Sequence, residues 1–170
     1  MQLPDALSAA IEFEHKVRDQ YGRAAKAVED PQGRRVFETL AKEEQGHVDY
    51  LESRLGEWKR TGAVTDAELP TLLPPAAWLK AEAKKLSIRR GNTTPGHTPE
   101  ISFLKEALEN ERKATEFYEG LVAELDPRYR ALFERFLEIE GGHTLIVQAE
   151  IDALAGHGHW FDFMEFSLEK

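Results

Sequence analysis

Two stretches of the chain follow one plan. In the first, Leu7, Ala10, Glu14, Val17, Tyr21, Ala24 and Val28 recur at alternating steps of three and four. In the second, Leu104, Ala107, Glu111, Ala114, Tyr118, Leu121 and Leu125 do the same at a constant offset of 97 residues (Glu14 to Glu111, Tyr21 to Tyr118). Steps of this kind trace one face of a long helix packed in a bundle. Each stripe carries a glutamate where an apolar side chain is expected. An aspartate–proline pair then follows in each half, Asp30-Pro31 and Asp126-Pro127. Aspartate caps the free N–H groups of a new helix, and proline suits its first position because no N–H is needed there. Each pair therefore closes one helix and opens the next.

The helix after the first turn is expected to bury Phe37, Leu40, Ala41, Val48, Leu51 and Leu55; the one after the second, Phe133, Phe136, Leu137, Val147, Ile151 and Leu154. Glu44 and His47 interrupt the first set, Glu140 and His143 the second, and both glutamates lie 14 residues after their capping aspartate. Gly46 and Gly142 correspond as well. The pattern predicts an all-α fold, a four-helix bundle of two antiparallel hairpins, with residues 1–170 as a single domain. Residues 62–98 hold four of the eight prolines and one short helical candidate, 76–86. This span is too long for a turn between neighbouring helices and reads as a crossover along the bundle. Thr98-Pro99 opens the third long helix as cap and first residue. The tail, 156–170, carries Trp160, Phe161, Phe163 and Phe166 and is expected to pack on the bundle or on a second subunit.

An internal cluster of four glutamates decides what chemistry the chain can hold. Fourteen helical residues measure about 21 Å, so both Glu-x-x-His pairs lie at equal depth from their turns. Glu14 and Glu111 reach a similar level from the other side. Four carboxylates in a dry core repel one another and are costly to desolvate, and dications remove both problems. Glu14, Glu44, His47, Glu111, Glu140 and His143 are thus the expected ligands of two metal ions. Carboxylates with imidazoles suit iron, with manganese the alternative. The chain has no cysteine, which excludes thiolate sites and disulfides. A third pair, Glu12 with His15, falls off the stripe and reads as a solvated face. Tyr21 and Tyr118 stand two turns from Glu14 and Glu111, placed to hydrogen-bond the metal carboxylates, to relay electrons, or simply to pack. His157 and His159 read as a solvated turn and His97 as a loop residue. The formal charge of −9 makes nucleic acid a poor partner. No apolar run approaches a membrane span, and with no signal-peptide pattern at the amino terminus a cytoplasmic protein is expected.

On these motifs the chain resembles the rubrerythrin-like branch of the ferritin-like superfamily, in the erythrin form without a rubredoxin domain. The resemblance spans 7–55 and 104–154 and rests on Glu14 with Tyr21, Glu44-Gln45-Gly46-His47, Glu111 with Tyr118, and Glu140-Gly141-Gly142-His143. It implies a di-iron centre that reduces hydrogen peroxide or dioxygen, cycling between diferrous and diferric states. Without cysteine, the electrons must come from a separate protein or small reductant. Rubrerythrin peroxidases commonly carry an extra carboxylate one turn from the third-helix ligand, where this chain has Leu108 and Ala114. That departure resembles the ferroxidase centre of bacterioferritins and keeps an iron-storage or ferroxidase subunit as the alternative. Haem is not expected, since the two methionines, Met1 and Met164, lie off the long bundle helices. No fifth helix of the cage-forming sort is apparent, so a homodimer is expected.

Overall fold

Five helices run through the computed structural model, which describes residues 1–88, 98–161 and 163: α1 (Leu3–Ala27), α2 (Pro31–Thr61), α3 (Ala76–Ile88), α4 (Thr98–Glu124) and α5 (Pro127–His157). No strand occurs among the described residues. Both expected turns form through their aspartates. The Asp30 carboxylate accepts the N–H groups of Gln32 (2.8 Å) and Gly33 (2.9 Å), with Pro31 in the first helical position. Asp126 accepts the N–H of Arg128 at 3.0 Å, ahead of Pro127 in the same role. Asp30→Ala strands two N–H groups and is expected to cost about 1 kcal/mol, read as a lower urea midpoint with an unchanged slope. α2 and α5 end alike, on Gly62 (φ 72°) and Gly158 (φ 70°) in the left-handed region that side chains disfavour.

α1 packs along α2 and α4 along α5, giving the two hairpins; α1 also meets α4, and α3 lies on α5. The stripe residues of α1 and α4 are buried throughout. In α2 and α5 the expected core holds except at its edges. Ala41, Leu55 and Leu137 are only half-buried, while Ile139 is buried. A 3.6-residue period drifts against steps of three and four, so positions at the margin of the stripe trade places over a long helix. The apolar interior forms two clusters. One contains Tyr21, Phe37, Leu40, Leu104 and Ile146; the other contains Leu7, Leu51, Tyr118, Phe133 and Phe136. Each cluster draws on both hairpins, and the buried glutamates and histidines described below belong to neither.

The segment between the hairpins is more than a spacer. Its short helix runs two residues past the expected end, and Leu69 and Leu79 from this segment are buried in the core. The tail folds back as well. Trp160, Phe161 and Phe163 are buried, and the main-chain N–H of Phe161 donates to the buried Glu150 carboxylate at 2.7 Å. Phe166 and His97 lie outside the described residues. Trp160 meets Phe37 edge-on at 6.1 Å and sits over Gly33, where an added Cβ would come within 2.2 Å of the indole. Gly33→Ala must displace that ring, with an expected loss of roughly 1–3 kcal/mol visible as a lower thermal midpoint and altered tryptophan fluorescence.

Candidate metal centre

The six side chains singled out on the stripes meet in the interior. Glu14 comes from α1, Glu44 and His47 from α2, Glu111 from α4, and Glu140 and His143 from α5; none is more than 1% exposed. Helical geometry explains the pairing within α2 and α5, since residues three apart share a face and lean towards the preceding turn. The Nδ1 atom of each imidazole is turned into the carboxylate cluster. His47 Nδ1 lies 3.0 Å from Glu44 Oε2, 3.2 Å from Glu14 Oε2 and 3.4 Å from Glu140 Oε1. His143 Nδ1 lies 2.9 Å from Glu44 Oε1, 3.5 Å from Glu140 Oε2 and 3.6 Å from Glu111 Oε2.

These distances divide the carboxylates by role. Glu44 and Glu140 each offer one oxygen to either histidine, so both span the centre. Glu14 serves the His47 side alone and Glu111 the His143 side alone. Two overlapping sets result, Glu14–Glu44–His47–Glu140 and Glu44–Glu111–Glu140–His143, each with its donor atoms within 4.8 Å of one another. The His47 Nδ1–Glu14 Oε2 contact is a hydrogen bond, but most of this crowding is not. Both oxygens of Glu44, Glu111 Oε2, Glu140 Oε1 and His143 Nδ1 are buried with no hydrogen-bond partner. Buried polar atoms normally find partners. Groups that converge without pairing fit cations placed between them, and either set can hold one.

The tyrosines complete the arrangement by crossing it. Tyr21 of α1 donates its hydroxyl to Glu111 Oε1 of α4, and Tyr118 of α4 donates to Glu14 Oε1 of α1. Sequence spacing placed each tyrosine near the glutamate of its own helix; the bond goes instead to the helix opposite. Each outer glutamate therefore has one oxygen tied by a phenol and the other turned to the centre.

No family model, curated protein or solved structure matches this chain.

Charge in the cluster is shared among carboxylates and imidazoles. Burial, then the negative charge of Glu44, pushes the Glu14 carboxyl up to about 8. The same two causes carry Glu140 well above the carboxylate range. Burial opposes ionisation of Glu44 too, but His143 and His47 outweigh it and hold Glu44 well below that range. Both histidines are raised well above their ordinary value, because Glu44 and its neighbours overcome the desolvation that would lower them. Burial, followed by the facing carboxylate, raises Tyr21 and Tyr118 well above 10, so both remain neutral donors. Protons thus offset part of the negative charge of the cluster.

One residue at the centre escaped the sequence reading. Glu43 is buried and accepts hydrogen bonds from Thr71 Oγ1 and the Leu72 N–H, each at 2.7 Å. One of its oxygens lies within 4.8 Å of a ring nitrogen of both histidines. Its counterpart in the second half is Ile139, so the repeat that revealed the other six gave no signal for it. The remaining candidates stand apart from this cluster. Glu12 is exposed, and the His15 ring lies 4.0 Å from Glu52 at the surface. His157 is half-buried and His159 exposed, and neither joins a metal-holding group among the described residues.

Proposed function

We propose that the hairpins form a ferritin-like four-helix bundle around two metal ions, iron before manganese, and that the protein is a di-iron oxidoreductase of rubrerythrin type. In this reading it reduces hydrogen peroxide, or dioxygen, with electrons from an external donor. The observation that carries it is the pair of overlapping ligand sets sharing Glu44 and Glu140, with buried donor atoms that face one another unpaired. Iron bound there supplies Lewis acidity and one-electron redox chemistry at each of two adjacent positions.

The protein's own groups do the rest. The four carboxylates balance the charge of two dications. Tyr21 and Tyr118 hold the outer oxygens of Glu111 and Glu14, which limits how far those carboxylates can swing. Phe136 meets the His47 ring edge-on at 5.2 Å and stacks on Tyr118 at 4.9 Å, closing that side with apolar surface. The ring planes of His47 and His143 are nearly parallel (5°), with centroids 5.4 Å apart, which suits two ligands on neighbouring ions. Because the chain has no cysteine, the electron donor is a separate protein or small molecule. In this reading the protein works as a cytoplasmic homodimer.

A second reading, a ferroxidase or iron-storage subunit, draws on Leu108 and Ala114. Both are buried and apolar where a further carboxylate would favour peroxide chemistry. Anaerobic loading with ferrous iron, followed by parallel mixing with peroxide and with dioxygen, separates the two. Faster oxidation by peroxide at a constant two irons per chain is the expected result. Faster oxidation by dioxygen with growth of a mineral would replace the first reading by the second, and failure to bind stoichiometric metal would sink both.

A further inference from the structure

We propose that Glu43 is a positioning residue shared by both imidazoles of the centre, holding the two rings from the side away from the metals through bridging water. The proposal rests on the metal reading above. Each histidine turns Nδ1 towards the carboxylate cluster, which leaves Nε2 as the outward nitrogen. A ring that gives its Nδ1 lone pair to a metal carries its proton on Nε2, and both Nε2 atoms are buried without a hydrogen-bond partner. A buried N–H left unpaired is costly, and metal-bound imidazoles nearly always donate it to a carboxylate, a carbonyl or water.

Glu43 stands where such an acceptor is needed. It groups with His47 and His143 and with none of the four cluster glutamates, so it approaches the rings from outside the ligand set. Residue 43 is one helical turn before His47, on the same face of α2. Its oxygen lies within 4.8 Å of a nitrogen of each ring, yet neither Nε2 takes a direct hydrogen bond, which leaves a gap. Two hydrogen-bond legs of about 2.8 Å each, meeting at a water, span that gap. The bonds from Thr71 and Leu72 aim the carboxylate and leave it lone pairs to spare. Since the second half has Ile139 at the matching position, one carboxylate serves both rings, and the segment joining the hairpins is what holds it in place. The crossover thus contributes to the centre.

The test uses the full chain as wild type, Glu43→Gln and Glu43→Ala. Anaerobic titration with ferrous iron gives stoichiometry and affinity, and spectroelectrochemistry gives the midpoint potential of the loaded centre. Glu43→Ala is expected to weaken metal binding about 10–100-fold. Glu43→Gln keeps the shape and an acceptor but loses the charge. It is expected to bind with intermediate affinity and to raise the midpoint potential, since a neutral acceptor leaves each imidazole a poorer donor to the ferric state. If the alanine variant does not fold, the glutamine variant alone decides. A glutamine variant with lowered thermal stability but wild-type affinity and potential would make Glu43 a mere anchor for the crossover and overturn the proposal. Wild type that binds no metal pair would overturn the metal reading itself, a result distinct from a wild-type pair indifferent to Glu43.

Discussion

Glu44→Ala is expected to abolish tight binding at both metal positions, while Glu111→Ala empties only one. Glu44 offers an oxygen to each histidine at about the same distance, 3.0 Å to His47 and 2.9 Å to His143, whereas Glu111 reaches His143 alone. Loss of the shared carboxylate removes a ligand from both sets and leaves their remaining charge unbridged. Affinity should fall by on the order of 100-fold or more, beyond the 10–100-fold that partners outside the ligand shell contribute. The helices should survive, because the apolar clusters on either side are untouched and a buried carboxylate is costly to keep without cations. Anaerobic ferrous titration with circular dichroism on the same samples checks both halves of the claim. Two metals retained at wild-type affinity would reject the assignment of Glu44 as the shared ligand.

Stability of the metal-free protein should fall as pH rises from about 5 to about 8, and metal should reverse that trend. Glu14 titrates near 8 in the folded state against 4.5 for the free side chain. Between those values the folded chain holds a proton that the unfolded chain has released, so the slope of stability with pH is negative. Glu140 acts in the same direction, and His47 and His143 join above 6.5 because both are raised. Glu44 is held low, so its favourable contribution is lost only as pH falls through the acid range. Metals must displace the protons on Glu14, Glu140 and the imidazoles. Loading should therefore release protons and tighten with pH. Free metal at 1,000 times its dissociation constant adds about 4 kcal/mol, roughly 10 °C in the melting temperature of a chain this size. Calorimetry at pH 6 and pH 8, with and without ferrous iron, should show a larger metal-induced rise at pH 8. A metal-free melting temperature that climbs across this range would contradict the charge arrangement described above.

What was legible in the sequence was whatever depends on local rules. Asp30-Pro31 and Asp126-Pro127 announce helix starts because capping and proline geometry act within one turn. The six ionisable residues stood out because a charged side chain on an apolar stripe contradicts the burial that the stripe implies. Their doubling at a fixed offset made that contradiction systematic. Glu43 was hidden because it has no counterpart in the second half, and its neighbour Glu44 already accounted for a carboxylate at that turn of α2.

The chain by itself thus determined the helices, their hairpin turns and which carboxylates and imidazoles must share the interior, since these follow from periodicity and from the cost of burying charge. Only the tertiary structure decided that Glu44 and Glu140 span the centre while Glu14 and Glu111 flank it, that each tyrosine bonds the opposite helix, and that Thr71 and Leu72 of the segment joining the hairpins hold Glu43 near the histidines. Those choices depend on the relative rotation and depth of helices far apart in sequence. Shifts of an ångström or two there exchange one hydrogen-bond partner for another without altering any residue pattern.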